Sequence, residues 1–202
     1  MLRDTLSGIC AGICIALGGS VFLAVDNRLA GAVLFSVALL CICMKGYALF
    51  TGKVGCLPEE HSKTALQLLL AGLLGNLIGT FLCGLALRLA LPAFAETAGK
   101  LCRAKLSLAP AAVLVRGAFC GILMYLAVSI WKERGTPLGI LFCIPVFILS
   151  GFEHSIADMF YFAVSGIVSL KAFGFLWLVI IGNALGAMLL PGLNLWGKGA
   201  KA

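Results

Sequence analysis

The sequence has little charge. Only 11% of its 202 residues are Asp, Glu, Lys or Arg, against about a quarter in ordinary soluble domains, while 62% are hydrophobic and the mean hydropathy is +1.12. These values exclude a soluble globular domain and predict an integral membrane protein. The net charge of +7 is expected of loops beside anionic lipid, so it does not indicate a nucleic-acid partner.

The sequence also lacks the motifs of metal and disulfide chemistry. Its nine cysteines form no CxxC pair and lie mostly within apolar runs, so we interpret them as small buried hydrophobic side chains. There are only two histidines, and one of them, His61, lies in a polar loop. The zinc-protease motif needs two histidines on one helix. We therefore expect neither a metal nor a cofactor.

Long apolar runs make up most of the chain. They cover roughly residues 7–25, 29–50, 65–92, 106–131, 137–166 and 170–195, each near or above the ~20 residues that a helix needs to cross a bilayer. The sequence predicts an all-α integral membrane protein whose single domain, 1–202, has six transmembrane helices. The first run is too long for a signal peptide and is interpreted as an uncleaved helix. With both termini cytoplasmic, seven basic residues, Lys201 among them, lie inside and five outside.

Two parts of the sequence resemble each other. GNLIGT at 75–80 returns as GNALGA at 182–187, and a glycine with polar neighbours ends an apolar segment in both LFTG (49–52) and GFEH (151–154). The offset of about half the chain predicts a duplicated three-helix unit, about 7–95 and 106–195. Three helices per unit make the repeats inverted, with broken second and fifth helices that meet near the midplane.

Each repeat also supplies residues suited to a helix break. Asn76 and Asn183 are expected to satisfy backbone groups that the breaks free. The small-residue pairs Gly75-xxx-Gly79 and Gly182-xxx-Gly186 are expected to bring the third and sixth helices close to the broken ones, although ordinary helix packing also explains them.

The ionisable residues at the second break are candidate site residues, because charge inside a membrane is costly. His154 is the expected proton carrier, since imidazole exchanges its proton near neutral pH; a neutral core histidine is the alternative. Glu153, on a different side of the chain, is expected to hold freed backbone N–H groups. Asp158, one helical turn after His154, could hydrogen-bond its ring.

Three cations have less definite roles. Lys105, at the start of the predicted fourth span, would raise the local concentration of anions at a pore mouth, or else it is an interfacial lysine. Lys45 and Arg116 lie deeper in the predicted spans and could pair with a carboxylate or with carbonyl groups at the break.

LFTG, GNLIG, SGFEHSIADMF and GNALGA together resemble the formate/nitrite transporter family along nearly the whole chain. The resemblance implies an aquaporin-like protomer of six helices, the second and fifth broken, in a homopentamer with one pore per subunit. It implies passage of small monovalent anions or their acids, such as formate, nitrite or hydrosulfide. It also implies a bacterial inner (cytoplasmic) membrane location with both termini cytoplasmic, and no enzymatic activity.

The resemblance assigns roles position by position. His154 matches the family's central pore histidine, Thr51 the loop threonine that faces it, and Lys105 the vestibule lysine. Glu153 and Asn183 match the acid beside the histidine and the sixth-span asparagine. The apolar rings on either side of the histidine correspond to Phe35, Leu39, Leu49, Phe50 and Phe147.

Three positions depart from the family pattern. Gly121 and Asp158 replace asparagines that members often carry, and Ala48 stands where an acid usually precedes LFT. The predicted function is passive or proton-coupled anion transport in which His154 lends a proton to the anion at an apolar constriction. The alternatives are a channel for a neutral solute such as ammonia, water or urea, an intramembrane enzyme using Glu153 and His154, and a metal-ion transporter. The sequence has no second in-membrane histidine, which disfavours the last two alternatives.

Overall fold

The computed structural model describes residues 1–199, and within them the chain forms nine α-helices. Lys201, counted in the charge comparison, lies outside the described residues. A short 3-10 turn, Val54–Cys56, follows the third helix. The helices are α1 (Leu2–Ala24), α2 (Arg28–Lys45), α3 (Phe50–Lys53), α4 (Lys63–Ala90), α5 (Pro92–Leu106), α6 (Pro110–Arg134), α7 (Leu138–Leu149), α8 (Ser155–Ser165) and α9 (Leu170–Gly199).

The long helices match the predicted spans. Five helices, α1, α2, α4, α6 and α9, are long and apolar enough to cross a membrane. The predicted fifth span, 137–166, is divided between α7 and α8, which have 12 and 11 residues and are separated by a break at 150–154. The second span is broken after Lys45 and resumes as the four-residue α3. The all-helical membrane fold with broken second and fifth helices is therefore confirmed.

Local sequence signals set the helix ends. Asn27 and Ser62 accept hydrogen bonds from Ala30 N and Ala65 N, so that both residues cap the helix that follows. Pro92 and Pro110 stand at the first position of α5 and α6, where a missing N–H costs nothing. Glycines with φ near +70° end α2, α6 and α8, as the left-handed cap requires.

The two halves pack through glycines. A Cβ added to Gly75 would lie 2.2 Å from Thr5 O of α1, and one added to Gly182 would lie 2.6 Å from Leu114 O of α6. Gly79 and Gly186 approach α1 and α6 in the same way. Ordinary helix packing, the explanation preferred for these glycines, is therefore confirmed; the expectation that they contact the broken helices is wrong, because they meet the unbroken helices α1 and α6.

The packing of α1 on α4 also fixes the two sides of the molecule. Gly8 contacts Gly72 and Gly12 contacts Gly79, so the two helices run in the same direction. The end of α4, and hence α5, therefore lies on the side where α1 ends and α2 begins. We call it the α5 side, and the opposite side, where Met1 lies, the N-terminal side.

Candidate functional site

The first break is held by one buried amide. Asn76, in the middle of α4, accepts a hydrogen bond from Phe50 N at 2.9 Å, where α3 begins. Its amide nitrogen donates to Ala48 O at 2.8 Å and to Gly8 O of α1 at 2.9 Å. Ser7 Oγ accepts from Ala48 N at 2.9 Å. The backbone groups that the break frees are thus satisfied by side chains of two neighbouring helices.

The second break has the same arrangement. Asn183 of α9 accepts from Ser155 N at 2.9 Å and donates to Glu153 O at 2.8 Å and to Gly117 O of α6 at 2.9 Å. Both asparagines are fully buried. The amides thus bind each break both to its own repeat's first helix and to its third.

His154 lies where the two breaks meet. Its Nε2 is 2.9 Å from Thr51 Oγ1 of the first break, and its Nδ1 accepts a hydrogen bond from Ala157 N at 3.1 Å, which caps α8. Because Nδ1 accepts, the neutral ring carries its proton on Nε2. Nε2–H then donates to the threonine, and the Thr51 hydroxyl keeps its own hydrogen for another acceptor.

Apolar side chains surround this pair. The Phe147 ring stacks on the His154 ring with centroids 5.6 Å apart, and Phe35 packs edge-on against Phe147 at 6.3 Å. All three side chains are buried. The imidazole therefore has an aromatic face on one side and the Thr51 hydroxyl at its Nε2 edge.

Two cavities, at opposite ends of α2, lie on the two sides of the layer formed by these buried side chains. A cavity of about 300 Å³ on the α5 side is lined by Phe35, Phe147 and His154 together with residues of α5. A cavity of about 150 Å³ on the N-terminal side is lined by Leu39, Leu49 and the ends of α2 and α6. Four of the predicted constriction residues thus line the cavities: Phe35 and Phe147 line the larger one, and Leu39 and Leu49 line the smaller one. Phe50 is buried and lines neither of them.

A buried charge cluster lies beside the larger cavity. The Lys105 ammonium binds Glu153 Oε2 and Asp158 Oδ1, the latter at 2.9 Å, and both carboxylates are at most 3% exposed. Asp158 Oδ2 has no hydrogen-bond partner among residues 1–199. One cation thus faces two carboxylates, so the cluster has a formal charge of −1 when all three groups are ionised.

This cluster differs from the sequence-based expectations in two ways. The Asp158 carboxylate contacts Lys105 rather than the His154 ring, and the Glu153 carboxylate also binds Lys105 rather than freed backbone groups. The reason is that Asn183 and the His154 cap already satisfy the backbone at the break. Lys105 itself lies in the last turn of α5, a helix not predicted from the sequence, and not at the start of the fourth span.

The cavity on the α5 side contains two arginines that sequence reasoning did not assign to the site. Arg28 opens α2 and Arg116 lies in the second turn of α6, and both line the cavity. Arg116 was expected to pair with a carboxylate or a carbonyl group, and it donates to Gly151 O. Lys45 was expected to lie deep, but it is exposed at the end of α2. The signal for Arg28 was its place directly after Asn27, a residue type that caps helices, at the start of a predicted span.

Comparisons with known proteins agree with this architecture. A family model described as Formate/nitrite transporter matches residues 2–197. The nitrite transporter NirC of Salmonella typhimurium is 31% identical, over 95% of this chain and 81% of that protein. NirC of Escherichia coli is also 31% identical, over 98% of this chain and 84% of that protein.

A solved structure shows the same fold. A pentameric formate channel with formate bound superposes with a TM-score of 0.82 at 23% identity, over 98% of this chain and 97% of that one. The family model covers nearly all of the chain, and the NirC proteins align with it almost from end to end. As its motifs predicted, the chain belongs to the formate/nitrite transporter family.

Proposed function

We propose that this protein is a passive or proton-coupled channel or transporter for small monovalent anions of the formate, nitrite and hydrosulfide class. The observation that carries the proposal is the Thr51–His154 hydrogen bond, which joins the two helix breaks between cavities at opposite ends of α2. Relatives named for nitrite and for formate support this class of solute. Passage of the solute breaks no covalent bond within it, so the protein is not an enzyme.

The pore belongs to a duplicated domain. Asn76 and Asn183 make three matching hydrogen bonds, to a loop N–H, a loop C=O and the first helix of the same repeat. This correspondence supports inverted repeats at about 7–95 and 106–195, within one transmembrane domain over 1–202.

The constriction disfavours a bare anion. An ion that passes the buried rings of Phe35 and Phe147 loses hydration, which costs many kcal/mol, whereas its neutral conjugate acid loses far less. The Leu39 and Leu49 side chains impose the same condition on the other side, and Phe50 belongs to the same buried apolar cluster. The solute therefore crosses most easily as the acid, or as an anion paired with a protonated ring.

His154 lends the proton and Thr51 orients the ring. The neutral ring carries its single proton on Nε2, so a second proton must first bind Nδ1 and displace the Ala157 N–H. Losing that cap costs about 1 kcal/mol, and charging the buried ring costs more; an anion at the constriction offsets these costs by stabilising the charged ring. Lys105 binds Glu153 and Asp158 in the vestibule, and these two carboxylates offset the attraction that its positive charge would exert on an anion.

Assembly and location follow from the same relatives. The solved neighbour is pentameric, which supports a homopentamer with one pore in each subunit. The NirC proteins come from bacteria, which supports a multi-pass protein of the bacterial inner membrane. The excess of basic residues at the N-terminal side of the spans supports cytoplasmic termini.

The test is to replace His154 with asparagine. Asn27 caps α2 through a bond to the N–H three residues on, just as His154 caps α8, so H154N keeps the cap and removes the titrating ring. We expect formate uptake into proteoliposomes to fall about 100-fold and to lose its pH dependence. The matched control is H61N, which changes the exposed histidine. Unchanged uptake and pH profile in H154N contradict proton lending; flux of ammonia, water or urea without any anion flux favours the neutral-solute alternative.

A further inference from the structure

The positive charge of Lys105 is not free to hold an anion. Its ammonium is bound by Glu153 and Asp158, and its side chain is only 12% exposed. The cluster as a whole is negative when both carboxylates are ionised, and it lines the cavity through which the solute must pass. Capture of an anion on this side therefore requires other cations, and the cavity supplies two.

Arg28 and Arg116 flank one turn of the second break. Arg28 Nη2 donates to Ile148 O and Arg116 Nη1 donates to Gly151 O, both at 3.4 Å. Gly151 N donates in turn to Ile148 O at 3.2 Å, so the two acceptors belong to one turn at the end of α7. The turn thus holds two guanidinium groups, one from each repeat, at the wall of the same cavity.

Neither guanidinium is neutralised. Among the residues that the structure describes, neither arginine forms an ion pair with a carboxylate, and each makes a single long hydrogen bond. A guanidinium has five N–H donors in a planar fork that fits the two oxygens of a carboxylate. Most donors of both groups are therefore available to a ligand.

We propose that Arg28 and Arg116 form a capture subsite that binds a small planar anion with two oxygens, a carboxylate or nitrite, before it reaches His154. The subsite rests on the proposed anion transport and adds to it a basis for selectivity. A planar anion can accept two parallel hydrogen bonds from one fork, whereas hydrosulfide or chloride offers a single acceptor atom. The subsite thus favours formate and nitrite over single-atom anions at low concentration.

Formate uptake into proteoliposomes, measured against concentration, tests the subsite in R28Q, R116Q and the charge-retaining R116K. We expect each Gln variant to raise the half-saturating formate concentration about tenfold, with little change in the limiting rate. R116K should recover only part of the loss, because it restores the charge without the fork. The matched control, R103Q, removes an exposed arginine of α5 that does not line the cavity, and it should match the wild type.

A second measurement separates this proposal from anion transport itself. Formate should raise the thermal unfolding temperature of the purified wild type in detergent free of phospholipid, and it should do so less in R28Q and R116Q. Binding of formate without flux contradicts the transport proposal but supports the subsite. Wild-type flux with unchanged half-saturation in both Gln variants overturns the subsite, as does a loss confined to the limiting rate. Absence of both flux and binding in the wild type contradicts both proposals. An effect of the arginine substitutions that is seen only with anionic lipid overturns the subsite, because the arginines then bind lipid headgroups.

Discussion

Replacing Asn183 with alanine should destabilise the protein as much as replacing Asn76. Each side chain is fully buried and makes three hydrogen bonds at its helix break, with lengths of 2.9, 2.9 and 2.8 Å in both cases. Alanine removes the amide, so that the N–H and the C=O of the buried loop lose this partner and the carbonyl of the first helix loses its second hydrogen bond.

The number of bonds sets the size of the effect. A buried hydrogen bond contributes about 1 kcal/mol net, including bonds between membrane helices. Three bonds per amide therefore give a loss of about 3 kcal/mol in the free energy of unfolding for N76A and for N183A. Flux should fall as well, because the two amides position Thr51 and His154 through the loops that carry them.

The assay is unfolding of the purified protein in detergent micelles, followed by the loss of helical circular dichroism. N194A is the matched control, since Asn194 is exposed near the end of α9 and should change the free energy of unfolding little. If either buried variant loses less than about 1 kcal/mol, or if the two losses differ by more than the error, the amides do not hold the breaks in the way described.

Three further changes test other contacts. At a pH at which Asp158 is ionised, D158N makes the Lys105 cluster neutral, so the half-saturating formate concentration measured at that pH should fall about fivefold; no change in it contradicts an effect of the cluster's charge. T51V keeps the shape of the side chain but removes the acceptor for His154 Nε2–H, so it should cost about 1 kcal/mol in detergent unfolding and reduce formate uptake. G186A places a Cβ 1.8 Å from Ala118 O and should cost about 1–3 kcal/mol, whereas G192A, with nothing within 4 Å, should be tolerated; equal unfolding curves for the two contradict close packing of α6 on α9.

The architecture could be predicted because the two halves of the sequence contain matching motifs. The matching GN motifs and the two interrupted apolar segments located the breaks, and the structure places a buried asparagine against each of them. Sequence similarity could not identify which surfaces the neighbouring glycines meet. That depends on the opposing glycines Gly8 and Gly117, which lie on α1 and α6 and have no motif around them.

The charge cluster was harder to predict, since its members come from three separate segments. Lys105 was placed at the start of the fourth span because the predicted apolar run begins directly after it, at residue 106. The preceding residues form the amphipathic helix α5, whose buried residues Ala98 and Cys102 are spaced one turn apart. This helix places Lys105 beside the second break, where its ammonium binds the carboxylates of Glu153 and Asp158.

Two of the departures from the family pattern, at Gly121 and Asp158, have different surroundings in the structure. A side chain at Gly121 would put its Cβ 2.1 Å from Asn183 O, so the close approach of α6 and α9 leaves no room for an asparagine. Asp158 lies against Lys105, where it adds a second carboxyl group to that of Glu153. The added negative charge weakens Lys105 as an anion ligand. This weakening is the reason for proposing that anions are captured by the arginines at the turn after α7, which have no carboxylate partner among residues 1–199.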